Sequence, residues 1–273
     1  MRHPKRRPQT AFSCFPISRL SPATERIFML RSIFVIIFVV IYCIISVPIL
    51  LIETLIRRFN PLAAETSMLK IVQWAFNVII FLAGTRVTVK GLDNIPKDEA
   101  VLFIGNHQSF FDVIISYSEM QTRCGYIAKN NLEKIPLLSW NMRFLYCLFL
   151  DRSDLKQGLE TILKAIEYIK SGISIFIFPE GTRNRSGSQL ELGEFHRGSF
   201  KIAQRTDCRI IPVSFNNTAG IFEAHFPSLR PCHVVVEYGA PVRYSELCKE
   251  DQRHIDVYFQ NVIRDMIKHN MES

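Results

Sequence analysis

His107 stands one residue past the apolar run Val101-Leu102-Phe103-Ile104-Gly105, after Asn106, and Asp112 stands five residues beyond it. A carboxylate that accepts the proton of one imidazole nitrogen fixes the ring's tautomer and leaves the other nitrogen to take a proton from an alcohol. The pair therefore makes a general base that needs no protein nucleophile. No other histidine of the chain has an Asp at the same offset. The spacing alone is also that of a structural histidine in a loop, so a second motif has to decide between the two readings.

That motif begins where Phe176-Ile177-Phe178 runs into Pro179-Glu180-Gly181-Thr182-Arg183. An apolar strand ending in Pro, Gly, Thr and Arg builds a turn with exposed backbone N–H groups, beside a guanidinium whose planar fork matches a phosphate bidentately. Arg183 is assigned to phosphate on this ground, and Arg185 to a solvated loop. Asp151-Arg152 closes another apolar run and brings a second cation, whose alternative use is a salt bridge with Asp151 or Asp154. Lys129 ends a further run and is a third cation for the same cleft. A base and a set of cations together suit the deprotonation of a hydroxyl on a molecule that carries phosphate.

Positioning these residues requires strands that all stop at one edge. Short β-rich runs are predicted at 86–90, 101–105, 125–128, 148–150, 173–178, 210–215 and 233–238. Helical stretches alternate with them, at 154–171 with Leu155, Leu159, Ile162, Ile166 and Ile169 on one stripe, and at 245–269. The alternation predicts an α/β fold, a largely parallel mixed sheet flanked by helices. Both motifs begin where a strand stops, which is where ligand crevices form in open α/β sheets.

Residues 32–52 run for 21 positions without a charge, enough for a helix to cross a hydrocarbon core of about 30 Å. The stretch 71–85 is shorter and contains Gln73, Trp74 and Asn77; it reads as a re-entrant or interfacial helix paired with the first, or else as a core helix of the following domain. The expected division is a basic, disordered tail over 1–28, a membrane helix pair over 29–83 (helices about 29–58 and 66–83), and one domain over 84–273. Met29 is a natural start for such an anchor.

The formal net charge of +8 is concentrated in the tail: residues 1–31 hold seven Lys and Arg against Glu25 alone, and the rest of the chain has 26 basic and 24 acidic residues. A basic face across the fold, as nucleic-acid binding requires, is therefore not indicated. The tail fits either an anionic lipid surface or simple solvation. Seven cysteines, scattered and without C-x-x-C, point to reduced thiols rather than to disulfides or zinc, and no metal site is indicated.

On Asn106-His107 through Asp112, Ala128-Lys129 through Ile135-Pro136 to Asp151-Arg152, Phe178 through Arg183 to Phe195 and Arg197-Gly198, and Ile211-Pro212-Val213, the sequence resembles the glycerolipid acyltransferase family, in particular its 1-acyl-sn-glycerol-3-phosphate acyltransferases. The resemblance covers about residues 84–242. It implies His107 and Asp112 as the catalytic pair, and Arg152, Glu180, Gly181 and Arg183, with Lys129 and Thr182 beside them, at the acceptor. It further implies acyl transfer from a thioester of coenzyme A or acyl carrier protein to lysophosphatidic acid, with no cofactor. The implied setting is the membrane lipid bilayer, with the domain on the cytoplasmic face, as in compact bacterial members. Ser139 and Cys147 replace glycines usual in the family, His196 a lysine and Asn131 a glutamate; these departures bear on donor and chain length and leave the base and clamp intact.

Overall fold

The structure, a computed structural model, describes residues 21–273. Most of the expected disordered tail, residues 1–20, lies outside the described residues. The remainder of that expectation is corrected: α1 runs Pro22–Phe59, with the Ser21 side chain accepting from the Thr24 amide and Pro22 in the first turn. A serine cap followed by proline starts a helix well before its apolar portion begins.

Asn60 ends α1 and also caps α2 (Pro61–Ala83), its side chain accepting from the Ala63 amide. A one-residue connection forces the two helices into an antiparallel hairpin, and α2 starts five residues before the expected 66. Both helices are long and apolar enough to cross a membrane, yet they differ in use. Along α1, Phe34, Ile36, Val40, Ile44 and Leu51 are exposed. A contiguous apolar face of this size belongs against lipid, and it makes the protein membrane-associated. On α2, Ala64, Met68, Ala75 and Ala83 are fully or almost fully buried, so this helix also serves as core.

The rest follows in the order β1 (Arg86–Lys90), β2 (Leu102–Gly105), α3 (Phe110–Ser118), β3 (Cys124–Lys129), α4 (Pro136–Phe144), β4 (Leu148–Leu150), α5 (Leu155–Lys170), β5 (Ser174–Ile177), α6 (Lys201–Thr206), β6 (Arg209–Asn216), β7 (His233–Tyr238), β8 (Val242–Arg243), α7 (Lys249–Arg253) and α8 (Ile255–Glu272). The sheet order is β1-β7-β6-β2-β5-β3-β4, with β8 pairing β6. Pairs are parallel except β6 with β7 and β6 with β8. The mixed, largely parallel sheet is thus as the alternation predicts. The single C-terminal helix expected over 245–269 is instead broken at His254 into α7 and α8.

The central strands are buried on both faces, and their side chains divide by the period of two. Leu102, Ile104, Ile175 and Ile177 meet Ile162 and Ile166 of α5 and Phe259 of α8. Phe103, Phe176 and Phe178 face the opposite layer, which contains Ile115 of α3 and Met68 of α2. One layer of that sandwich is therefore made partly by the membrane hairpin. Buried Glu65 fastens it at the hairpin turn, pairing with Arg57 at 3.3 Å and Arg123 at 3.4 Å and accepting from the Tyr146 hydroxyl.

Candidate active site

Because β2, β4, β5 and β6 run the same way, their C-terminal ends share one sheet edge. The loops leaving that edge carry His107, Arg152, Arg183 and Glu223. Asn106 locks the first loop to β6: its side chain accepts from the Phe215 amide at 2.8 Å and donates to the Phe215 carbonyl at 3.1 Å.

His107 Nδ1 and Asp112 Oδ2 are 2.9 Å apart. Asp112 sits in the first turn of α3, where its carboxylate folds back over the loop and also accepts from the amides of Gln108 at 2.7 Å and Ser109 at 2.8 Å. That is the reciprocal geometry of a capping box, and it explains the spacing: a carboxylate at the third helical position reaches the loop just before the helix. An acceptor carboxylate at Nδ1 places the proton there and leaves Nε2 as the basic nitrogen. The imidazole stacks on Phe178 with ring centroids 4.2 Å apart and stays 18% exposed, so it is held but reachable. Among the described residues Nε2 makes no hydrogen bond.

Glu180, expected at the acceptor, is buried. One carboxylate oxygen accepts from the His107 amide and the other from the Gly193 amide, each at 2.7 Å. The carboxylate is thereby committed to tying the two motif loops together, and the Asn184 amide adds a bond to the His107 carbonyl at 2.7 Å. Burial pushes the Glu180 carboxyl above its ordinary range, against the opposing effect of the two amides. The sequence identifies the turn but not which of its side chains point inward.

Gly181 has φ +71°, and the Arg152 guanidinium packs directly on the space a Cβ would fill. The turn needs glycine twice over, for the left-handed backbone and for the arginine laid against it. Arg152 makes no ion pair with Asp151 or Asp154 among the described residues; the Asp151 carboxyl is held below its usual range by the Ser153 hydroxyl and amide. Gly181→Ala should destabilise the fold by about 1–2 kcal/mol through the left-handed backbone and displace Arg152. The check is the denaturation midpoint, and a wild-type midpoint would contradict the strain argument.

Arg183 is partly buried, its Nη1 donating to Glu223 Oε1 at 2.9 Å and its guanidinium carbon lying 3.7 Å from the centre of the Phe110 ring. Glu223 also accepts from the Ser109 hydroxyl at 2.6 Å and the Phe110 amide at 2.9 Å. Sequence reasoning missed Glu223, which lies in an unpatterned loop after β6. Thr182, Lys129 and Arg185 are exposed. Lys129 ends β3 at the same edge, but no hydrogen bond or ion pair among the described residues joins it to the group around His107. The described residues contain no cluster with the make-up of a metal site.

An imidazole oriented by a carboxylate, at a sheet edge whose loops also carry Arg152 and Arg183, suits group transfer or hydrolysis, and the comparisons show which proteins share it. Residues 86–216 match the family model described as Acyltransferase. The chain is 29% identical over 196 residues to the 1-acyl-sn-glycerol-3-phosphate acyltransferase of Borreliella burgdorferi, covering 72% of this chain and 76% of that one. It is 30% identical to a chloroplastic 1-acyl-sn-glycerol-3-phosphate acyltransferase of Arabidopsis thaliana, over 67% of this chain but only 49% of the relative. The crystal structure of the 1-acyl-sn-glycerophosphate acyltransferase PlsC from Thermotoga maritima shares the fold, with a TM-score of 0.76 over 90% of this chain and 98% of that one at 23% identity.

Proposed function

We propose that this protein transfers an acyl group from a thioester to the free hydroxyl of 1-acyl-sn-glycerol-3-phosphate, giving phosphatidic acid. The observation that carries this reading is the His107–Asp112 pair at 2.9 Å, with Nε2 unbonded among the described residues, at the edge whose loops also carry Arg152 and Arg183. Nε2 takes the proton of the hydroxyl as its oxygen attacks the thioester carbonyl. The C–S bond then breaks, and the proton passes from His107 to the departing thiolate, so the base is regenerated. Asp112 holds the ring through both steps. Arg183 and Arg152 hold the phosphate, and the apolar face of α1 keeps the domain where lipid substrates are. Within this reading the donor thioester is carried by coenzyme A or acyl carrier protein. The domain lies on the cytoplasmic side, which the free thiols of Cys124, Cys147 and Cys208 support.

The test is acyl transfer by detergent-solubilised protein from a long-chain acyl-CoA to lysophosphatidic acid, glycerol-3-phosphate and lysophosphatidylcholine in parallel. Product from lysophosphatidic acid alone is the expected result. Transfer to one of the others would reassign the acceptor, and release of free acid without transfer would make the site a hydrolase. Arg183→Ala should raise the KM for lysophosphatidic acid by about 10–100-fold, the loss of a hydrogen bond between charged groups, without changing the donor KM. Unchanged acceptor kinetics would leave Arg183 as a partner of Glu223 and nothing more.

A further inference from the structure

The Arg183 guanidinium is already engaged before any phosphate arrives. It donates to Glu223 at 2.9 Å and lies over the Phe110 ring at 3.7 Å. Glu223 is itself fixed by groups that do not depend on Arg183: the Ser109 hydroxyl at 2.6 Å and the Phe110 amide at 2.9 Å, both at the start of α3. The loop that carries it is pinned from the other side, where the Leu229 amide donates to the Ser32 hydroxyl at 2.8 Å and Arg230 pairs with Glu25 at 3.5 Å. A carboxylate held in this way cannot follow the arginine; it determines where the arginine sits.

We propose that Glu223 is a positioning residue for acceptor recognition. It holds the Arg183 guanidinium over Phe110 so that the remaining N–H groups meet a phosphomonoester in a fixed orientation. The proposal rests on the assignment of Arg183 to the acceptor phosphate. Its physical basis is preorganisation: an arginine already immobilised gives up little rotamer freedom on binding. A single N–H of the guanidinium is spent on Glu223, and a planar fork retains donors for phosphate. The same carboxylate also joins the loops that leave β2, β5 and β6, so the phosphate clamp and the start of the helix bearing Asp112 move as one unit.

The experiment is the acceptor KM for lysophosphatidic acid at saturating acyl-CoA in wild type, Glu223→Ala, Glu223→Gln, Arg183→Ala and the double variant Arg183→Ala/Glu223→Ala. Glu223→Ala should raise the acceptor KM about tenfold, the value of one charge-assisted hydrogen bond, and leave the donor KM unaltered. Glu223→Gln, which keeps one accepting oxygen and the side-chain volume, should raise it less. In the Arg183→Ala background the Glu223 substitution should add no further change, because its effect passes through the arginine. A lower acceptor KM in Glu223→Ala, as expected of a carboxylate that merely competes with phosphate, overturns the proposal. So does a KM effect that persists undiminished without Arg183, or a parallel rise in the donor KM, either of which indicates a general support of the fold. If Arg183→Ala raises the KM and Glu223→Ala does not, the positioning role alone fails. If Arg183→Ala leaves it unchanged, the phosphate assignment fails and this inference falls with it.

Discussion

Replacing His107 with alanine lowers the turnover of acyl transfer by about 10²–10⁴-fold and leaves the KM for lysophosphatidic acid near its wild-type value. The argument is one of position. The His107 backbone amide, not its ring, is the donor to Glu180, so the loop keeps its tie when the ring is removed. Asp112 keeps the amides of Gln108 and Ser109, so the start of α3 keeps its cap. What disappears is the stack on Phe178, the Nδ1 contact with Asp112 and, in the proposed mechanism, the nitrogen that takes the hydroxyl proton. Only the last acts in the transition state and not in acceptor binding, so the loss falls on kcat. Turnover of the alanine variant within about threefold of wild type would remove the base from the mechanism.

The sheet was legible in the sequence because its strands are short runs rich in β-formers, and those predicted at 86–90, 148–150 and 233–238 coincide with β1, β4 and β7. The two-residue β8 left no such signal, and its pairing with β6 depends on the chain doubling back after β7. Local pattern also does not distinguish a neighbour that runs parallel from one that runs antiparallel. The start of α1 was hidden for a related reason: 22–28 mixes Pro, Thr, Glu and Arg with little periodicity, and Phe28 is buried against residues some two hundred positions away in sequence.

At the site, the sequence was most informative where a motif carries its own geometry. The capping-box spacing brings Asp112 to His107 through purely local structure. Glu180 and Glu223 depended on contacts between loops that no spacing encodes. Glu180 was expected to meet substrate and is instead bound to two backbone amides. Glu223 was not singled out at all, although it gathers Ser109, Phe110 and Arg183 from two other loops. A carboxylate's neighbours decide whether it binds substrate or builds the cleft, and those neighbours come from the topology.

Asp112→Asn should lower kcat by ~10²–10³-fold although it changes a single side-chain oxygen to nitrogen. In the native protein Oδ2 receives three N–H groups, from His107, Gln108 and Ser109, while Oδ1 is buried with no hydrogen-bond partner among the described residues. Asparagine has two orientations available there. With its oxygen at Oδ2, the three donors are kept, but the amide nitrogen is buried unsatisfied and the negative charge facing the imidazolium of the transition state is gone. With its nitrogen at Oδ2, that nitrogen confronts two backbone N–H donors, and the imidazole must turn its other tautomer toward it, which places the proton on Nε2 where the base has to be. The first orientation costs about 1–3 kcal/mol of stability and the second more, so a lower denaturation midpoint should accompany the lost turnover. Stability loss alone does not separate a catalytic from a structural role, but the His107→Ala background does. If Asp112 acts through the ring it orients, adding Asp112→Asn to His107→Ala costs little further in kcat, because groups that act as a unit are strongly non-additive. A full additional loss in the double variant, or a single Asp112→Asn variant with wild-type turnover, would show that the carboxylate caps α3 and does no more.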